Sequence, residues 1–178
     1  MTKPPSIEKL AYHEAGHAVI ARLLGIGVLK VEILPGGKDG VCDHGHAWPG
    51  TDADLAAQAI GLDKDLLMEC AGAAAEKYYQ PDGDGFAGWL SDSTSIETLA
   101  AGAVIVKHGE PAPEILDWDE FRAGPLWGAM WQHAKDARTR ADQLVAEHWP
   151  AIARVAGALL ARRKLEQDEI NILIAGAE

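Results

Sequence analysis

Between Ala11 and Ile20 the chain reads AYHEAGHAVI, with two histidines four residues apart and a glutamate directly after the first. On a helix, His13 and His17 project from one face a turn apart, so both imidazoles can reach a single metal ion. Glu14 falls about a third of a turn round from His13, where its carboxylate can reach a water on that metal rather than the metal itself. The chemistry on offer is water activation by zinc with a carboxylate as general base. The plain alternative is an amphipathic helix that happens to carry two histidines. The intervening glutamate argues against it, and so does Gly16, because glycine inside a helix costs about 1 kcal/mol and calls for a reason, such as close approach by another segment or a ligand.

A catalytic zinc needs a third protein ligand and leaves a fourth place to water. Extended metzincin spacing would put glycine at position 20 and histidine at 23, but the chain has Ile20 and Leu23, so that subclass is excluded.

The elements that must hold these residues can be read from pattern. Ser6, after Pro4-Pro5, is placed to cap a first helix whose apolar residues, from Leu10 to Leu24, recur at helical spacing until Gly25 and Gly27 end it. Val28 to Leu34 alternates Leu29, Val31 and Ile33 with Lys30 and Glu32, the period of a half-buried strand. After the turn residues 35–40, GVCDHGH at 40–46 returns as a weak second strand of a hairpin, closed by Trp48-Pro49-Gly50.

Helix formers follow from Asp52 to about Tyr79, with a break near Gly61, and the run Ala71-Gly72-Ala73-Ala74-Ala75 is so small that something must pack close against it. The glycine-rich PDGDGFAG, 81–88, precedes a helix start at Ser91 to Thr94, where Thr94 and Glu97 have capping-box spacing, and that helix runs to about Val106. An acidic loop spans Glu110 to Glu120. A long helix is expected from about Pro125 to Glu147, another from Ala151 to Arg163 after Pro150, and a short terminal one through Ile170 to Ile174. The fold class is mainly α with one small β-hairpin beside the histidine helix. All 178 residues are expected in one domain, a metal-site part at about 6–109 and a helical part at about 125–175.

Composition narrows the partners. A formal net charge of -11 opposes attraction to nucleic acid or anionic lipid. Apolar stretches fall short of the roughly 20 residues that span a bilayer, so no membrane association is expected. Two cysteines, Cys42 and Cys70, and a start without the layout of a secretory signal point to the reducing cytoplasm.

AYHEAGHAVIARLLG resembles the zinc-binding helix of the FtsH-type peptidase domain, the proteolytic half of membrane-bound ATP-dependent proteases. The resemblance continues through the strand KVEILPGG, the return strand GVCDHG, the small-residue helix AGAAAEKYY, the helix start GWLSDSTSIETLA and the tail HWPAIARVAGALLARRKLEQDEINIL, from about Ser6 to Leu173. It implies one zinc per chain held by His13, His17 and Asp92, with Glu14 as general base and acid. Glu76 is the competing carboxylate, either a ligand or a support for the site. The family usually has asparagine before the ligand aspartate and leucine after it, where this chain has Ser91 and Ser93. Asp92 can also be read as a helix cap.

The family's activity implies a zinc metalloendopeptidase acting on unfolded protein or flexible peptide. Because the chain shows no G-x-x-x-x-G-K-[ST] motif, we expect it to work without ATP or to borrow an unfoldase in trans. The family works as rings that depend partly on the ATPase half, so a monomer or a smaller homo-oligomer is expected. In the family an extended peptide adds to the hairpin edge by backbone pairing. The contrasting reading is a zinc-bearing interaction module without useful proteolysis.

Cys42, His44 and His46 alternate along the return strand, and could hold a second metal or face substrate beside the zinc; Cys42 and His44 are taken as substrate-proximal. His108, His133 and His148 are scattered. Trp127 and Trp131, an i, i+4 pair, read as core or oligomer contact, and Arg162-Arg163-Lys164 as a solvated helix end.

Overall fold

The computed structural model describes residues 6–82 and 87–176, with side chains described except at 87–91. Seven helices and three strands occur among them, in the order α1 (Ile7–Leu23), β1 (Val28–Ile33), β2 (Gly40–His44), α2 (Leu55–Tyr79), α3 (Ala87–Lys107), α4 (Trp118–Ala123), α5 (Trp127–Glu147), α6 (Trp149–Arg162), β3 (Lys164–Glu166) and α7 (Gln167–Ala175). The chain is therefore mainly helical, as expected, and no helix among the described residues is long and apolar enough to cross a membrane.

Helix α1 starts where Ser6 accepts a hydrogen bond from the Lys9 amide, and it runs through the centre of the molecule. Leu10, Ala11, Ala15, Ala18, Val19, Ile20 and Ala21 are all buried, against α2 and the sheet on one side and α6 on another. The small residues of α2 are explained by this contact. A Cβ on Gly16 would stand 2.6 Å from the Ala71 carbonyl oxygen and 2.7 Å from Ala75 Cβ, so α2 lies directly on the α1 backbone at this point.

Helix α2 is not broken at Gly61. Asp54 caps it, its side chain accepting from the Ala57 amide, and the helix continues to Tyr79. Gly61 serves instead as a seat for the loop after the hairpin, since a Cβ there would meet the Ala47 carbonyl oxygen at 2.5 Å. Buried Asp65, one turn on, accepts from the Ala47 and Trp48 amides and fixes that loop.

Three further expectations change. The capping box at Thr94 is replaced by helix interior, because α3 already begins at Ala87; the Thr94 carbonyl accepts from Thr98 Oγ1 within it. The centre of the glycine-rich segment 81–88 lies outside the described residues, as does the side chain of Ser91. The acidic loop contains the short helix α4, which Asp117 caps through the Asp119 and Glu120 amides.

Strands β1 and β2 pair antiparallel as a hairpin, but the register shifts between Val28 and Lys30, leaving Leu29 as the extra residue of a bulge. Leu29 consequently turns outward and is 56% exposed, while Val28, Val31 and Ile33 face the core. The hairpin is completed to a three-stranded sheet, order β2-β1-β3, by Lys164 to Glu166, so the basic run is a strand entry rather than only a solvated helix end. Arg163 makes this possible by adopting a left-handed conformation, φ 68°, and offering its carbonyl to the Ile33 amide. Leu165 between two exposed neighbours is fully buried. The order leaves β2 at the edge, beside the middle of α1, which carries the histidines.

If Gly16 is the seat of α2, Gly16→Ala must destabilise although alanine is the better helix former by about 1 kcal/mol, because overpacking against a backbone carbonyl costs about 1 to 3 kcal/mol. Urea unfolding should show a net loss of up to about 2 kcal/mol. A gain would mean that α1 and α2 leave room for a methyl group at Gly16.

Candidate metal centre

His13 and His17 are both buried, at 4% and 6% exposure, and their rings meet edge to face. The His17 ring is fixed by its Nδ1–H, which donates to the Met68 carbonyl of α2 at 2.9 Å. This bond assigns the proton to Nδ1 in the neutral ring and turns the Nε2 lone pair inward. His13 Nε2 lies 3.1 Å from His17 Nε2. The third group comes from α3: Asp92 Oδ2 is 3.2 Å from His13 Nε2 and 3.6 Å from His17 Nε2.

Two imidazole nitrogens and a carboxylate oxygen thus converge within 4.8 Å of one another, and among the described residues this is the group that could hold a metal ion. Two lone pairs and an anion gathered in a buried space repel unless a cation sits between them. In a metal-free chain that cation is a proton. Burial works against a charged His13, but the Asp92 and Glu76 carboxylates overcome it and raise its pKa to about 10. Burial likewise opposes the charged form of Asp92, and the two imidazoles override it, holding the carboxyl far below its ordinary range.

Space for the cluster depends on α2. A Cβ on Gly72 would lie 2.3 Å from His17 Nε2 and 2.7 Å from His13 Nε2, inside the cluster itself. Glycine keeps that space open. The donor set, N, N and O with room on the side of Gly72, suits zinc with one position left for solvent.

Glu76 does not join the three donors. It lies behind His13, with Oε2 3.6 Å from Nδ1 and Oε1 3.4 Å from the buried Lys9 ammonium. The other nitrogen of each histidine therefore faces an acceptor, a carbonyl for His17 and a carboxylate for His13, the arrangement that orients metal-binding imidazoles. Burial disfavours the charged form of Glu76, but His13 and Lys9 together keep its pKa below the usual value. Asp92 belongs to the second turn of α3 and so is not its cap.

Glu14, 6% exposed, lies outside the three-donor group but beside it. A Cβ on Gly40 would be 2.6 Å from Glu14 Oε1, so the first residue of β2 must be small for the carboxylate to fit beneath the strand. Burial raises the Glu14 pKa, the two imidazoles pull it down, and Asp92 pushes it up again, leaving a net increase. A carboxylate of raised proton affinity beside a metal position is suited to accept a proton near neutrality.

These residues line a cleft of about 340 Å³ whose other wall is β2. Cys42 and His44 line it. His46 does not join them: its side chain is 68% exposed, and its nearest carboxylate is Asp65 at 3.9 Å. Burial, then Glu14 and Glu69, push the Cys42 thiol far above its ordinary pKa, so it stays protonated and is a poor nucleophile. Among the wall residues that sequence reading did not single out is Glu69 of α2. Its spacing to Gly72 and Glu76, three and seven residues, is a helical-face signal that was there to be used.

Filling the cleft floor should separate metal binding from folding. Gly72→Ala is expected to leave the helical circular dichroism intact and to lower zinc affinity by at least about 100-fold, since a methyl occupies the space between the imidazoles. Stoichiometric zinc in the purified variant would show that the metal lies elsewhere.

No family model matches the chain. Over 186 aligned positions it is 27% identical to the ATP-dependent zinc metalloprotease FtsH of Acidimicrobium ferrooxidans, an alignment that takes in 94% of this chain and 28% of that protein. The chain thus spans a little over a quarter of the relative's length. It is distantly related to one region of an FtsH protein.

Proposed function

We propose that the protein is a zinc metalloendopeptidase that hydrolyses peptide bonds in unfolded or flexible protein segments. The observation that carries this reading is the convergence of His13 Nε2, His17 Nε2 and Asp92 Oδ2 with Glu14 beside them, on the floor of a cleft. Three donors among the described residues, not four, support an open catalytic position over the closed site of an interaction module. The name of the FtsH relative lends the same direction to zinc and proteolysis.

When bound, zinc would supply Lewis acidity that makes a water nucleophilic near neutral pH and polarises the scissile carbonyl. His13, His17 and Asp92 would hold it. Glu14 takes the proton from the attacking water and returns it to the leaving amine, so its raised proton affinity serves both halves of the cycle. The Met68 carbonyl holds His17 in the tautomer that directs Nε2 inward, and the Glu76 carboxylate faces the outer nitrogen of His13 at 3.6 Å. The substrate lies extended along the edge strand β2, where backbone pairing gives affinity with little sequence demand. Activity without ATP, or with an unfoldase acting in trans on the same cleft, both fit a site that needs an extended chain.

Glu14→Gln separates the roles. Zinc-loaded protein should degrade casein, and the variant should keep one zinc per chain while losing cleavage by at least about 10²-fold. Equal cleavage by both would remove Glu14 from the chemistry, and no cleavage by zinc-loaded wild type would favour the interaction module.

A further inference from the structure

We propose that Glu69 is a specificity residue of this cleft, whose carboxylate pairs with a cationic group of the bound chain at the end of β2 away from Glu14. The inference takes the cleft's occupant from the peptidase reading above. The cationic group is the chemistry of a lysine or arginine side chain, or of a free α-amine.

Glu69 stands on α2 one turn before Gly72, and its side chain is 16% exposed on the cleft wall. Of the other cleft carboxylates, Glu14 is the general base of the reading above, and three have protein contacts. Asp92 contacts both imidazoles, Glu76 lies between Lys9 and His13, and Asp39 accepts from the Gly40 amide. Among the described residues, no hydrogen-bond donor reaches Glu69. The basic group within ion-pair reach is His44, with Nε2 4.0 Å from Oε1, beyond hydrogen-bond range. The His44 ring is held there because its Nδ1–H donates to the Gly45 carbonyl at 2.8 Å.

A carboxylate on a cleft wall with no protein donor depends on water in the cleft, and when a bound chain displaces that water a cation arriving with hydrogen atoms to give offsets the loss. Burial raises the proton affinity of Glu69, His17 lowers it and Asp92 raises it again, with His44 and His46 pulling down, for a net increase. Glu69 and His44 offer two donor atoms, too few for a metal of their own. The cleft is also polar along its length. Lys38 lines the Gly40 end, and Glu69 the His44 end, four residues or about 13 Å further along the strand. An extended peptide on β2 would place a residue two to four positions from the scissile bond beside Glu69, at roughly 3.3 Å per residue.

The test uses full-length, zinc-loaded Glu14→Gln protein as a non-cleaving host, with and without Glu69→Gln or Glu69→Lys. Fluorescent peptides of one sequence carry lysine, arginine or norleucine at each position in turn, with the N-terminus free or acetylated. Binding should favour lysine or arginine over norleucine at one position by about tenfold or more. The ratio should fall to about one with Glu69→Gln and invert with Glu69→Lys. A preference that follows acetylation instead assigns the subsite to the α-amine. A ratio unchanged by Glu69→Gln, or no preference in the host, overturns the proposal; Glu69→Gln is nearly isosteric and decides the matter if Glu69→Lys does not fold. Cleavage by wild type is measured in parallel. Loss of cleavage with the binding ratio intact rejects the peptidase reading alone, and cleavage without a ratio rejects the subsite alone.

Discussion

Two glycines on facing helices set the distance between α1 and α2, and the site follows from that distance. Gly16 presents bare backbone to Ala71 and Ala75, so α2 can lie against α1 without an intervening side chain. Gly72, on the same stretch of α2, then passes the imidazoles of His13 and His17 with no atom to occupy the space between them. Because the Met68 carbonyl belongs to this contact, the same approach that packs the helices also fixes the His17 ring. Closeness here is both a packing and a chemical requirement: a larger residue at either position would push the helices apart or fill the centre.

The second constraint is electrostatic. Lys9, His13, Glu14, His17, Glu76 and Asp92 are all buried, a concentration of ionisable groups that a merely structural core avoids. They form an ordered chain, from Lys9 through Glu76 to His13, and from His13 and His17 to Asp92. Lys9, Glu76, His13 and Asp92 alternate in sign along it, Glu14 stands beside it, and the two inward imidazole nitrogens need a cation between them and Asp92. Clusters of this kind, with titration displaced by burial and by specific partners, concentrate at functional sites. The sheet contributes the remaining wall, and β2 is kept free to pair because β3 covers the other edge of β1.

Much of this was legible in the residues. The His13, Glu14 and His17 spacing places three groups on a helix before any fold is known, and Gly16 and the alanine run of α2 foretell a close helix contact. The ends of elements were less legible. Gly61 looks like a helix break, but tertiary contact with Ala47 gives the glycine a different use inside a continuous helix. Leu29 fits an alternating pattern and still turns outward, because a bulge adds one residue that periodicity does not register. The strand at Lys164 is three residues long and exists by pairing with β1, more than a hundred residues earlier, so nothing local announces it. Asp92 was reached through family resemblance; its sequence surroundings alone suggested a cap. Glu69 was missed because a single glutamate in a helix is ordinarily a solvated one, and its position on the cleft wall depends on how α2 is rotated against α1.

The most direct test of the central claim is zinc X-ray absorption on the loaded protein, which reads the donor atoms around the metal without reference to activity. The spectrum should show two imidazoles and one carboxylate with a fourth light-atom ligand from solvent, at about 2.0 to 2.2 Å, and His17→Ala should lose one imidazole signature. A sulfur neighbour at about 2.3 Å, which Cys42 would supply, or a closed shell of four protein ligands, would contradict that claim.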